Sequence, residues 1–134
     1  MAKRAPSAQA SGAARLENYM LVINKLGRDG SGKANIVCNP GSYVMGVLYE
    51  IEEADLSTLD IAESGYHRDQ INVVTSDGIH RTAWVYISQS AAEGLRPRCW
   101  YLSYLVKGAM ENNLPEDYIE ALRNIDCSGD TSHL

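Results

Sequence analysis

The sequence predicts an α+β protein: a curved antiparallel or mixed sheet with a few helices packed against it. Three observations predict it. Strand-like runs outnumber helical ones and are joined by short links. Asp77-Gly78 lies between two alternating runs, "YHRDQINVVTS" and "IHRTAWVYIS", a strong hairpin signal. The last part of the chain instead carries helical periodicity, in "WYLSYLVKGAMENN" and, beyond Pro115, in "EDYIEALRNI".

The elements follow in order. The Ala-rich start is compatible with a short helix. "YMLVINKL", residues 19–26, reads as a strand. "ANIVCNPG" reads as a second, shorter strand closed by the turn cluster Asn39-Pro40-Gly41. "SYVMGVLYEI", residues 42–51, is apolar on both faces and belongs inside a sheet or barrel wall. Gly46 in its middle points to a bulge or a close backbone approach. "EEADLSTLDIAES" has helical spacing, with Gly65 as its stop. "GLRPR" is a loop, followed by the two C-terminal helices. One domain is expected over residues 1–134, with 125–134 a frayed tail.

Between the first two strands, "GRDGSGK" satisfies most of the phosphate-loop pattern GxxxxGK[ST]. The chemistry rejects that reading. A phosphate loop must open a helix whose amides meet the anion, whereas "ANIVCNP" follows here. Ala34 also stands where the magnesium-binding hydroxyl belongs. A solvated hairpin loop is the better account.

Composition narrows the function classes. A length of 134 residues, 45% hydrophobic and 22% charged, suits a soluble globular chain with a real core. A net charge of -5 with no densely basic segment argues against a nucleic-acid surface. No apolar run approaches the ~20 residues needed to span a bilayer. Three cysteines, Cys38, Cys99 and Cys127, are an odd count without CxxC spacing, so a reduced, cytoplasmic protein is expected. The histidines at 67, 80 and 133 have no metal-ligand spacing with them. The first sixteen residues carry Lys3, Arg4 and Arg15 but no acid, and they lack the apolar region of a secretory signal.

The candidate chemistry lies in "LDIAESGYHR". Asp60 and Glu63 are three apart and share one side of a helix. Taken by itself, Glu63 reads first as a solvated helix-end residue, and as a proton carrier only in about one case in ten. Its surroundings are more specific. From Ala13 to about Ile125 the chain resembles the γ-glutamylcyclotransferase (AIG2-like) family. "GAARLENYMLVINK" is similar to the family's G-x-A-x-L segment, and "ANIVCNPGSYVMGVLYEIEEADLSTLD" to its V-x-G-V-x-Y strand and following helix. "LDIAE" matches L-D-x-x-E, "GYHR" a later G-x-Y segment, and "SDGIHRTAWVYI" a Gly-containing hairpin. "YLSYLVKGAMENNLPEDYIEAL" is close to Y-x6-G-A-x-E-x-G-L-P-x-x-Y-x-x-x-L.

The resemblance implies a small, closed, mixed β-barrel with flanking helices. It implies Glu63 as the catalytic general acid/base and Tyr101 as a substrate-binding residue. Asp60 falls on the L-D position, with an expected structural role in bonding backbone amides, and Tyr66 and Arg68 fall on supporting positions. The implied reaction cyclises a γ-glutamyl amino acid or γ-glutamyl amine to 5-oxoproline and releases the amine. It requires no cofactor or metal, and its partner is a small-molecule γ-glutamyl substrate, with no nucleic acid and no membrane. Two departures are local: Ser64 stands where an E-G pair is common, and Asn113 replaces a Gly. The family's first strand and Y-G-S-N loop, whose amides grip the γ-glutamyl group, have no counterpart in the sequence. The expectation is therefore a poor enzyme in this form with a cyclotransferase as the full gene product. The alternative is a small-molecule-binding or interaction module.

Overall fold

The structure is a computed structural model and describes residues 7–63, 65–89 and 91–129. Its frame is a long two-stranded ribbon, β1 (Gln9–Leu26) and β2 (Gly32–Glu50), paired antiparallel from end to end. The Gly-rich segment is the hairpin loop between them, as its composition predicts. Asp29 closes that loop by accepting hydrogen bonds from the Ser31 amide at 3.0 Å and the Ser31 hydroxyl at 2.5 Å.

Two expectations for this region change. The Ala-rich start is strand from Gln9 onward, because pairing with β2 outweighs the helical preference of alanine. Asn39-Pro40-Gly41 does not end a strand either. Pairing passes from Tyr19↔Cys38 to Glu17↔Tyr43, so the cluster bulges out of β2 and the same partner strand continues. Asn18, at φ 66°, faces this bulge and accepts the Gly41 amide at 3.2 Å. Gly46 makes no bulge; it pairs in register with buried Ala14.

Helix α1 (Glu53–Ala62) follows, then β3 (His67–Thr75) and β4 (His80–Ile87), joined by the expected turn with Gly78 at φ 84°. The sheet order is β2-β1-β3-β4, and each adjacent pair is antiparallel. This corrects the expectation of a closed, mixed barrel. The edge strands β2 and β4 do not pair with each other. A side chain bridges the gap in place of a ladder. Buried Asn35 of β2 donates from its amide nitrogen to the Ser88 carbonyl at 2.8 Å, and its amide oxygen accepts from the Ser88 amide at 2.9 Å. One side-chain amide thus replaces one turn of strand pairing just past β4.

Helices α2 (Cys99–Glu111) and α3 (Glu116–Arg123) form a second layer. Ala109, Leu114, Ile119 and Leu122 make its core and pack on Ala13, Leu21 and Met45 of the ribbon. Asn113 adopts φ 56° between the helices, the left-handed geometry that suits Asn nearly as well as the Gly it replaces. A second core of Ala14, Leu16, Ile36 and Val73 lies within the sheet curve.

The cysteines correct the reduced-thiol expectation. Cys99 and Cys127 form a disulfide across 28 residues, and Cys38 is free and exposed. No CxxC spacing is needed, because the chain after α3 returns to the start of α2. There Ser128 donates to the Pro97 carbonyl at 2.9 Å and accepts from the Cys99 amide at 3.0 Å. Residues 126–129 are held by these contacts where fraying was expected, while 130–134 lie outside the described residues. Among the described residues no helix is long and apolar enough to cross a membrane.

Candidate active site

Three distant parts of the chain meet at the loop end of the ribbon, around a cavity of about 500 Å³. The end of α1 contributes Ala62 and Glu63, and Tyr66 follows. The first turn of α2 contributes Trp100 and Tyr101. The β1–β2 hairpin contributes Gly27 and three cations, Lys25, Arg28 and Lys33.

Glu63 stands just past the last turn of α1, where its amide still donates to the Leu59 carbonyl at 2.8 Å. Its own carbonyl accepts the Tyr66 amide at 3.1 Å, and Gly65 takes φ 86° to make that reversal. The sequence-expected stop at Gly65 is thus what turns the chain from α1 toward β3. Ser64, where the sequence departs from the family pattern, lies outside the described residues. Among the described residues Asp60 bonds side chains and not the backbone amides expected of it. It accepts the Tyr86 hydroxyl at 2.7 Å and pairs with Arg68 at 3.2 Å, tying the last turn of α1 to β4 and β3. Arg68 in turn lies over the Trp84 ring, 4.4 Å from its centre. Asp60 and Arg68 therefore fix the helix that presents Glu63.

Tyr66 and Tyr101 approach from opposite elements and bond the same residue of β2. The Tyr66 hydroxyl donates to the Ala34 carbonyl at 2.6 Å. The Ala34 amide donates to the Tyr101 hydroxyl at 3.1 Å. Burial pushes the Tyr66 hydroxyl well above its ordinary range, and the charges of Tyr101 and Glu63 add to the effect. Burial also raises Tyr101; the Ala34 bond moderates this and the Glu63 charge reinforces it. Both rings therefore stay neutral across the physiological range. Tyr101 accepts from Ala34, so its own hydrogen remains available to donate into the cavity.

The sequence reading named Glu63, Tyr101 and Tyr66, and the structure brings them to one cavity. It missed Lys25, Arg28, Lys33 and Trp100. Lys33 stood inside the rejected phosphate-loop pattern; the usable signal was the hairpin loop itself, which sets positions on either side of it opposite each other.

A depression of about 630 Å³ lies elsewhere, on α2 and α3, and holds none of these groups. Leu102, Val106 and Met110 line it, and its Lys107 pairs with Glu111 at 3.9 Å, so it offers little to a polar substrate. Among the described residues no three His, Cys, Asp or Glu side chains gather as a metal site.

Residues 43–122 match the model of the AIG2-like family. The chain is 33% identical over 132 residues to the γ-glutamylcyclotransferase of Homo sapiens, covering 92% of this chain and 70% of that protein. The same identity and coverage hold for the γ-glutamylcyclotransferase of Bos taurus. A solved structure of a γ-glutamyl cyclotransferase superposes with a TM-score of 0.88 at 28% identity, over 97% of this chain and 82% of that one. The architecture, the site segments and these relatives agree: the chain belongs to the AIG2-like γ-glutamylcyclotransferase family.

Proposed function

We propose that the chain catalyses γ-glutamylcyclotransfer with Glu63 as the general acid/base. The observation that carries this reading is the meeting of Glu63 and Tyr101, far apart in sequence, on one cavity. In the reaction the α-amine nitrogen of a γ-glutamyl compound attacks its own γ-carbonyl carbon. A new C–N bond closes a five-membered lactam, the old amide C–N bond breaks, and 5-oxoproline and a free amine leave. The α-amine is largely protonated at neutral pH and cannot attack. Glu63 takes that proton and returns it to the departing nitrogen, and the second proton that the attacking nitrogen loses on becoming a lactam N–H leaves with the released amine as its ammonium form. Tyr101 donates its hydroxyl hydrogen to the carbonyl oxygen as charge develops there, a neutral donor that burial keeps protonated. Holding the γ-glutamyl chain folded on itself supplies much of the remaining acceleration.

The test is release of 5-oxoproline from γ-glutamyl-alanine by the wild type and by Glu63→Gln. Glutamine cannot carry the proton, so the rate falls by about a hundredfold to ten-thousandfold. Equal rates remove Glu63 from this role. Saturable binding with no turnover by the wild type favours a small-molecule-binding module instead.

A further inference from the structure

Lys25 and Lys33 are direct cross-strand partners in the β1–β2 ribbon, and both line the cavity that holds Glu63. Like charges set opposite each other on a sheet are destabilising. The Leu26 carbonyl, which accepts from Lys25 at 3.0 Å, and the nearby charge of Asp29 offset the pair only in part, and none of the ion pairs among the described residues uses Lys25, Lys33 or Arg28. The acid nearest Lys33 in sequence, Asp29, is bonded to Ser31 and pairs with Arg98 at 3.7 Å. Among the described residues, three cations line the cavity with one carboxylate, Glu63, in a chain whose net charge is -5. A concentration of positive charge in one cavity of an acidic chain points to an anionic ligand.

The two lysines are held in different places. The Lys33 ammonium lies over two rings of α2, 4.5 Å from the centre of Tyr101 and 5.0 Å from that of Trp100. The Lys25 ammonium lies on the other side, 5.4 Å from the centre of the Tyr66 ring. It also crowds Gly65, where a Cβ would come within 2.6 Å of it, two residues past Glu63. Aromatic faces hold an ammonium in position while leaving hydrogens for a ligand; of its three, Lys25 gives one to the Leu26 carbonyl.

We propose that this is a two-carboxylate site, with Lys33 the residue that makes γ-glutamyl amino acids better substrates than γ-glutamyl amines. The assignment rests on the cyclotransferase reading above for the identity of the ligand. The α-amine and α-carboxylate of the γ-glutamyl group share one carbon, so an amine at Glu63 puts that carboxylate beside Lys25. The γ-carbonyl at Tyr101 then directs the departing group toward α2, where Lys33 meets the carboxylate of a departing amino acid. A departing amine without a carboxylate leaves Lys33 unpaired.

The experiment measures affinity apart from turnover. Glu63→Gln protein is titrated calorimetrically with γ-glutamyl-alanine and with γ-glutamyl-ethylamide, which differ in the second carboxylate. The alanine compound binds tighter by about tenfold or more, the worth of a charge-assisted contact. Adding Lys33→Met brings the two affinities to within roughly threefold, and Lys33→Arg preserves the gap. In protein with Glu63 intact, the same substitution lowers the kcat/KM ratio of the two substrates mainly through KM. Equal affinities before any change at Lys33, or a gap that survives Lys33→Met, overturn the proposal. The two-ligand comparison stands even if a Lys33 variant fails to fold. An affinity gap in a protein that releases no 5-oxoproline upholds the site and overturns the cyclotransferase reading; equal turnover of both substrates does the reverse.

Discussion

Tyr66 and Tyr101 hold one residue of β2 between them, Tyr66 donating to the Ala34 carbonyl at 2.6 Å and Tyr101 accepting the Ala34 amide at 3.1 Å. Both bonds are structural, yet they leave the two hydroxyls in different states. Tyr66 has spent its hydrogen on Ala34. Tyr101 has not. The two Phe substitutions therefore separate. Each costs about 1 kcal/mol of stability, as expected for a partly buried hydrogen bond. Tyr101→Phe in addition lowers kcat by roughly a hundredfold, the usual loss for one donor to a developing oxyanion. Tyr66→Phe lowers it much less. Thermal unfolding and 5-oxoproline release measured on the same two proteins check this; equal kcat losses refute the distinction.

Asp60 makes a second prediction because it links the site helix to the β3–β4 hairpin. Its carboxylate accepts the Tyr86 hydroxyl at 2.7 Å and pairs with Arg68 at 3.2 Å. The pair is partly exposed, so its charge contributes only a few tenths to ~1 kcal/mol. The larger consequence is positional. Asp60→Ala releases the last turn of α1 and lowers kcat several-fold at saturating substrate, while Asp60→Asn, which can still accept from Tyr86, keeps more of it. A double-mutant cycle of Asp60→Ala with Tyr86→Phe shows coupling of about 0.5–1 kcal/mol in stability. Additive effects in that cycle mean that the two side chains act independently.

Sequence patterning made some of this visible and left some hidden, for physical reasons. The Asp77-Gly78 hairpin, α1 with its stop at Gly65, and the two C-terminal helices depend on local chemistry and were legible. So was Asn113, whose tolerance of positive φ is local too. The continuity of β2 through Asn39-Pro40-Gly41 was not, because a turn and a bulge use the same residues and only the partner strand tells them apart. The closed barrel failed for a similar reason. Whether edge strands meet depends on accumulated twist, and Asn35 completes the approach to Ser88 with a side chain rather than a ladder. At the site, Glu63 and Tyr101 were readable through motif resemblance. Lys25 and Lys33 were ordinary surface lysines until the ribbon register set them opposite each other.

The disulfide carries a third prediction. Cys99 is the first residue of α2, and Trp100 and Tyr101 follow it into the cavity. Closing a loop of 28 residues is worth about 3.5 kcal/mol in the chain-entropy account. Reducing the protein, or substituting Cys127→Ser, therefore lowers the unfolding free energy by about that amount. The start of α2 also loses an anchor, although Ser128 still bonds Pro97 and Cys99 through its backbone. KM rises several-fold as Trp100 and Tyr101 become less well placed. Denaturant titration with and without reductant, beside KM measured in the same buffers, checks both effects. A midpoint unmoved by reductant shows that this crosslink adds nothing to stability.

Alkaline pH supplies the last prediction, and its sign follows from the direction of the tyrosine shifts. Tyr66, Tyr86, Tyr101 and Tyr118 are all raised from the ordinary value of 10.0 chiefly by burial, and Tyr19 is raised chiefly by its hydrogen bond with Cys38. A raised folded value means that the folded chain holds these protons more tightly than the unfolded chain. Their contribution is therefore fully present below about pH 10 and is lost as pH rises above it, because the unfolded state ionises first. The unfolding free energy falls steeply in that window. Replacing a buried tyrosine by Phe removes one titrating group and makes the fall shallower. Tyr101→Phe shows it together with a functional effect: the raised folded value keeps the hydroxyl hydrogen of the wild type in place through the start of this window, so its activity declines only at higher pH than the onset of the stability loss, and the variant stays low and flat throughout. Denaturant titrations at several pH values between about 8 and 11, with 5-oxoproline release at each, measure both slopes. A wild-type slope that Tyr101→Phe leaves unchanged rules out Tyr101 as one of the groups responsible.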